Sequence, residues 1–187
     1  KLRFLQASGQ SPTGDTGPSI AITADEKEST LTIADTGIGM SEQELVDNLG
    51  TIAKSGTQAF VENVRKAKGE VQLIGQFGIG FYSAFIVASR VEVISRAAGA
   101  AEAYVWSSAG EGSFTIGPAD RKERGTAIVL HLREDAAEFL EDWKIESVVR
   151  AYSDHIGHPI MLAVDRETAR QINSASAIWT RAKAEVT

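Results

Sequence analysis

Hydrophobic and polar positions alternate in two short runs near the start of the chain. The runs SIAITAD and STLTIAD are rich in β-branched residues and flank the charged triplet EKE, a pattern typical of two strands joined by a turn. We therefore expect an antiparallel hairpin that ends at Asp35. The same alternation predicts further strands in RVEVISRA, AEAYVWSS, GSFTIG, GTAIVLHLR and PIMLAVD.

Other segments have a helical pattern. Ser41 and Glu44 form the S-x-x-E capping box that opens a helix, which Gly50 can end. QAFVENVRKAK and FYSAFIVA also have helical character, and a longer helix is expected from about Ala136 to Ile156. Runs of strands beside helices predict an α+β fold, a two-layer sandwich of a mostly antiparallel mixed sheet with helices on one face. The polar tail RETARQINSASAIWTRAKAEVT has the composition of a linker.

Composition and charge narrow the class of protein. The 187 residues suit one domain, and 43% apolar with 24% charged residues is typical of a globular protein. The formal charge of −6 argues against a nucleic-acid-binding surface, which is usually basic. No apolar run has the length of a membrane span, and the absence of cysteine fits a cytoplasmic location. The chain begins KLRFLQASG, without a methionine, so we expect that a segment precedes it.

The stretch GQFGIGFYSAF places three glycines, Gly75, Gly78 and Gly80, directly before an apolar helical run. This spacing is neither the dinucleotide fingerprint nor a P-loop. We expect these glycines to adopt backbone shapes that other residues cannot. They would then present N–H groups at a helix N-terminus, where anions bind. The stretch is therefore either a phosphate cradle or a plain glycine turn before a buried helix.

Two other places have residues that could bind a nucleobase. Asp35 opens the stretch DTGIGM at the end of an apolar strand, where a carboxylate requires a hydrogen-bond donor. The amino group of adenine is such a donor, and Gly37 and Gly39 would let a flat ring approach; alternatively, Asp35 only closes a turn. Gly125 and Thr126 open a later strand. The threonine hydroxyl either bonds a base, directly or through water, or only starts the strand.

Together, D-x-G-x-G, G-x-x-G-x-G and G-T before a strand resemble the ATP-binding fold of gyrase, mismatch-repair, histidine-kinase and heat-shock ATPases. DTGIGM, DNLGTIAKSGTQAF, IGQFGIGFYSAFIVA and IWTR are similar to the ninety-kilodalton heat-shock chaperone family, bacterial HtpG type, over nearly the whole chain. The resemblance implies a Bergerat-type fold. It implies an N-terminal ATP-binding domain over residues 1–173 that lacks its first helix, and a linker with the start of the middle domain over residues 174–187.

The resemblance also implies a role for individual residues in binding the base. Asp35 should accept a hydrogen bond from the adenine amino group, with waters held near Gly39 and Thr126. Met40 and Leu49 correspond to walls of the base pocket.

The resemblance also assigns residues to the sugar and phosphates of the nucleotide. Asn48 should reach the ribose or the α-phosphate. Lys54 corresponds to a lysine near the sugar and phosphates. Alternatively, it is only a solvated lysine at the end of a helix. The resemblance gives the phosphates to backbone N–H groups of Gln76, Gly78, Ile79, Gly80 and Phe81.

The implied function is that of an ATP-dependent molecular chaperone. ATP or ADP would bind this domain, with Mg²⁺ in the complete domain, and ATP binding would close a lid and drive remodelling of client polypeptides in a cytoplasmic homodimer. No nucleic acid or membrane partner is expected.

The family's catalytic glutamate and magnesium-binding asparagine are expected before Lys1, so no catalytic or metal-binding residue is assigned to this chain. We expect the isolated fragment to be monomeric, to bind nucleotide weakly and not to turn over ATP. The alternatives are a nucleotide-binding or interaction module without turnover, and another ATPase of the same superfamily, of DNA repair or topoisomerase type.

Overall fold

The computed structural model describes residues 17–50, 80–163 and 168–175, and the fold is given for these. The strands are β1 (Ile20–Asp25), β2 (Thr30–Asp35), β3 (Ala88–Arg96), β4 (Ala103–Ser108), β5 (Thr115–Ala119), β6 (Gly125–Leu132), β7 (Ile160–Ala163) and β8 (Ala169–Gln171). The α-helices are α1 (Glu42–Leu49), α2 (Ala84–Val87) and α3 (Asp142–Tyr152), and two 3₁₀ segments span Gly80–Ser83 and Glu134–Leu140.

The strands form one mixed sheet with the order β5-β4-β3-β6-β2-β1-β7-β8. Neighbouring strands are antiparallel, except that β1 and β7 run parallel. The hairpin predicted from the two alternating runs is confirmed, with Ile20 opposite Asp35 and Asp25 opposite Thr30. The predicted α+β class, with a mostly antiparallel mixed sheet, is confirmed as well.

One face of the sheet holds the hydrophobic core. Side chains alternate between the faces of a strand, and the cross-strand register puts Ile22, Val93 and Leu162 on the same face. The helices cover this face, since Leu45 of α1 and Val149 of α3 belong to the same buried cluster. Burial of apolar side chains on this face therefore stabilises the two-layer arrangement.

The helix predicted from Ala136 to Ile156 is wrong in its bounds. A 3₁₀ segment ends at Leu140, Glu141 is extended (φ −80°, ψ 127°), and α3 ends at Tyr152. The apolar residues of the 3₁₀ segment fit a repeat of three as well as one of 3.6, so the pattern did not separate the two helix types.

The linker prediction for the tail is wrong for its first part. Strand β8 pairs with β7, and Ile172 and Asn173 are buried. The Asn173 side chain accepts from the N–H of Ile160 at 2.8 Å and donates to the carbonyls of Ile156 and His158 at 3.1 and 3.0 Å. These bonds tie the chain after β8 to the loop before β7.

Capping of α1 follows the prediction. The Ser41 hydroxyl accepts from the N–H of Glu44, whose carboxylate accepts from the N–H of Ser41, and the helix ends at Gly50. The predicted helix QAFVENVRKAK lies outside the described residues. FYSAFIVA forms the end of a 3₁₀ segment, then α2 and the first residue of β3. No helix in the described part of the chain has both the length and the apolar character that a membrane crossing requires.

Candidate functional site

Three polar side chains lie in one row across the apolar face of the sheet. Asp35 of β2 is opposite Thr126 of β6, and Thr126 is opposite Ser95 of β3. The next row on this face, two residues earlier on β2 and two residues later on β6, is apolar, with Ile33 opposite Ile128. Because the strands keep register, the three polar groups are direct neighbours at one end of a hydrophobic surface.

The Asp35 carboxylate has one oxygen occupied within the chain. Its Oδ1 accepts from the N–H of Gly37 at 2.7 Å, whereas no described residue donates a hydrogen bond to Oδ2. The side chain is half-buried. A carboxylate oxygen beside apolar side chains is costly without a donor, so Oδ2 suits the N–H group of a ligand.

The turn after Asp35 is held against the end of β3. Gly39 has φ +68°, and a Cβ there would overlap the carbonyl of Arg96, so both conformation and space require glycine.

The N–H of Ala98 donates to the carbonyl of Ile38 at 2.8 Å, and the N–H of Met40 donates to the Ser95 hydroxyl at 2.9 Å. The turn is therefore fixed above the polar row.

Ser95 is a residue of this site that the sequence reasoning missed. It is fully buried, and its Oγ lies 2.9 Å from Thr126 Oγ1 and 3.1 Å from the carbonyl of Gly125, to which it donates. Val91, Val93 and Ser95 point to the core side of β3 in turn. A hydroxyl at an apolar position of RVEVISRA was the signal that could have found it.

Arginines hold the backbone beside Asp35, and they were also missed. Arg124 donates through Nη1 to the carbonyl of Thr36, and Arg121 donates through Nη2 to the carbonyl of Asp35 at 3.3 Å. Both side chains are half-buried. Gly125 has φ +114°, and a Cβ there would overlap the Asp35 carbonyl. The RKERG segment thus packs directly on the Asp35–Thr36 peptide.

The C-terminal end of α1 lies near the 3₁₀ segment Gly80–Ser83. Met40 and Leu49 are half-buried against the core, and Asn48 is half-buried on α1. The Tyr82 hydroxyl donates to the carbonyl of Leu49 at 3.0 Å, and burial raises the pKa of Tyr82. The ring of Phe81 packs edge-on against Trp106, with centroids 5.6 Å apart.

One expectation for the glycine-rich stretch is wrong at Gly80. This residue is exposed, its φ lies outside the left-handed region, and a Cβ would meet no described residue within 4 Å. Gly80 therefore does not need a backbone shape reserved for glycine. The other residues assigned to the phosphates and sugar lie outside the described residues, namely Lys54, Gln76, Gly78 and Ile79. The role of each assigned residue stays a prediction.

Residues 13–112 match the family model described as histidine kinase-, DNA gyrase B-, and HSP90-like ATPase. Among similar proteins, the chaperone protein HtpG of Rhodopseudomonas palustris (strain HaA2) is 52% identical over 193 residues, which cover 100% of this chain and 31% of that protein. HtpG of Myxococcus xanthus (strain DK1622) is 53% identical over 178 residues, covering 87% and 27%. HtpG of Yersinia pestis is 51% identical over 195 residues, covering 100% and 31%. The chain spans less than a third of the length of these relatives.

Proposed function

This chain belongs to the family of histidine kinase-, DNA gyrase B- and HSP90-like ATPases, and on that premise we propose that it is the ATP-binding domain of an ATP-dependent chaperone. The resemblance to the HtpG type, predicted from the motifs, is confirmed by relatives that are identical to this chain at about half of the aligned positions over its whole length.

The observation that carries the proposal is the carboxylate of Asp35. Its Oδ1 is held by the N–H of Gly37, which leaves Oδ2 on the apolar face beside Thr126. The amino group of adenine donates to Oδ2 in this proposal. Guanine has a carbonyl at the same position, which would face the carboxylate with acceptor against acceptor. The arrangement therefore favours adenine over guanine.

The remaining contacts are those that the family resemblance assigns. Met40 and Leu49 flank the base, and Asn48 on α1 reaches the sugar or the α-phosphate. The N–H groups of Gly80 and Phe81 contribute to the phosphate contacts, together with the assigned residues outside the described part. Mg²⁺ belongs to the complete domain in this proposal, and we assign none of its ligands to this chain.

In the longer protein, ATP binding and hydrolysis would drive the work of a cytoplasmic chaperone on client polypeptides. The three relatives are named as chaperone proteins, which supports this class over DNA repair or topoisomerase ATPases. We propose a homodimer in which nucleotide binding closes a lid. Residues 1–173 would form the ATP-binding domain, and residues 174–187 would lead to the middle domain.

The test is an NMR titration of the ¹⁵N-labelled 187-residue chain with ADP and, separately, with GDP. This measurement detects weak as well as tight binding. ADP should shift the amide signals of Gly37, Gly39 and Thr126, and those of the turn at Lys27 and Glu28 should stay in place. GDP should bind at least about fivefold more weakly, since an unpaired buried polar group costs about 1–3 kcal/mol. Equal affinity for both nucleotides, or no shift with ADP, would contradict the proposal.

A further inference from the structure

We infer that Arg124 is a positioning residue for base recognition, because its guanidinium fixes the peptide that orients the Asp35 carboxylate. The inference rests on the proposed function and adds a specificity-determining residue to that site. Arg124 itself has no contact with the base in this assignment. It acts on the base through the backbone of Thr36.

Thr36 is held on every polar atom. Its N–H donates to the carbonyl of Ser19 at 3.2 Å, its hydroxyl accepts from the N–H of Ser19 at 3.0 Å and donates to the carbonyl of Gly17 at 3.1 Å. The carbonyl oxygen accepts from Arg124 Nη1. Residues 17–19 thus hold one side of Thr36, and the Arg124 side chain holds the other.

The position of Thr36 decides where the Asp35 carboxylate points. Gly37 follows Thr36, and its N–H is the donor that occupies Oδ1. If the Thr36 peptide rotates, the N–H of Gly37 turns with it, and the carboxylate loses the bond that leaves Oδ2 for the ligand. Arg124 makes this bond through Nη1 alone, and its planar guanidinium fixes the direction of the donated N–H better than a flexible ammonium would.

Gly125 adds a second restraint next to Arg124. Its Cα packs against the Asp35 carbonyl so closely that a side chain there would overlap it. The Arg124 backbone is thereby fixed over the Asp35–Thr36 peptide. With the backbone already fixed, the bond from Arg124 to Thr36 costs only the rotamer freedom of the arginine side chain.

The test compares two ligands on three variants of the full 187-residue chain. The ligands are ADP and purine riboside 5′-diphosphate, which keeps the sugar and phosphates but lacks the amino group. The variants are Arg124→Met, Arg124→Lys and, as a matched control, Arg133→Met. Arg133 follows the other end of β6, where it is exposed and paired with Asp135 at 3.2 Å.

Arg124→Met should lower the affinity for ADP about three- to tenfold and change that for the amine-free diphosphate less than twofold. Arg124→Lys should show the same selective loss, and it carries the test if the methionine variant does not fold. In the Asp35→Asn background, Arg124→Met should have no further effect on ADP. Arg133→Met should leave both affinities unchanged.

An equal loss for both diphosphates would overturn the inference, since Arg124 would then act on the phosphates or on the whole domain. Unchanged ADP affinity in both Arg124 variants would overturn it as well. Either result leaves the proposed function intact, provided that the unmodified chain binds ADP. Failure of the unmodified chain to bind ADP would overturn the proposed function, and the inference with it.

Discussion

Replacing Asp35 with asparagine tests base recognition with the smallest change of shape. The N–H of Gly37 donates to Oδ1 at 2.7 Å, so the amide oxygen of asparagine must take that place. The amide NH₂ group then replaces Oδ2 and faces the adenine amino group, donor against donor. A hydrogen bond to a charged group contributes about 1.5–3 kcal/mol, which corresponds to an affinity loss of roughly 10- to 150-fold. Because the bond from Gly37 is kept, the fold should be retained.

Calorimetric titration with ADP and thermal unfolding measure the two sides of this prediction. Asp25→Asn is the matched control, since Asp25 also ends a strand and its Oδ1 accepts from the N–H groups of Lys27 and Glu28 at 2.9 and 3.1 Å. It lies at the opposite end of the hairpin and should not alter ADP affinity. If Asp35→Asn binds ADP as tightly as the unmodified chain, Asp35 is only a turn residue. If it unfolds, the bond from Gly37 was misjudged.

Further predictions concern stability, measured by thermal or urea unfolding. Gly39→Ala should destabilise the fold by about 2 kcal/mol or more, because a left-handed conformation costs 1–2 kcal/mol and the Cβ meets a carbonyl; Gly80→Ala should change stability by less than about 0.5 kcal/mol, and equal effects would refute this contrast. Ser95→Ala should cost about 1–3 kcal/mol, since the half-buried N–H of Met40 loses its acceptor; a neutral effect would show that water replaces the hydroxyl. The hydrogen bond from Arg170 to Glu146 lowers the pKa of Glu146 from 4.5. The stabilisation that the ionised Glu146 side chain provides is therefore present above pH 4.5 and lost as the pH falls further. The difference in unfolding temperature between the unmodified chain and Glu146→Gln should therefore disappear at acidic pH. A difference that persists below that range would contradict this sign.

The strands were predictable because each has a local signal. Alternation with β-branched residues marks β1, β2, β3, β4 and β6, and their bounds lie within about two residues of the predicted segments. The capping box that begins at Ser41 is likewise a local signal, since it lies within four consecutive residues. Asp35 and Thr126 were found as candidates because each stands where an apolar strand meets a glycine.

The features that escaped prediction depend on contacts between distant residues. Ser95 became part of the site through its register with Thr126, and Arg124 through a bond to Thr36, 88 residues earlier. Asn173 bonds to the loop before β7, which turned part of an apparent linker into a strand and its anchor. Composition and periodicity contain no information on such pairs.

The pairing of β2 with β6 has a consequence for the synthesis of this protein. Asp35 and Thr126 are opposite each other in the sheet but about 90 residues apart in the chain. At about 5–20 residues per second, the ribosome adds the second strand roughly 5–18 s after the first. During that time the β1–β2 hairpin has an open apolar face and an unpaired edge. Strands in this state associate with other chains, so the nascent chain passes through an interval in which it is itself a candidate for chaperone binding.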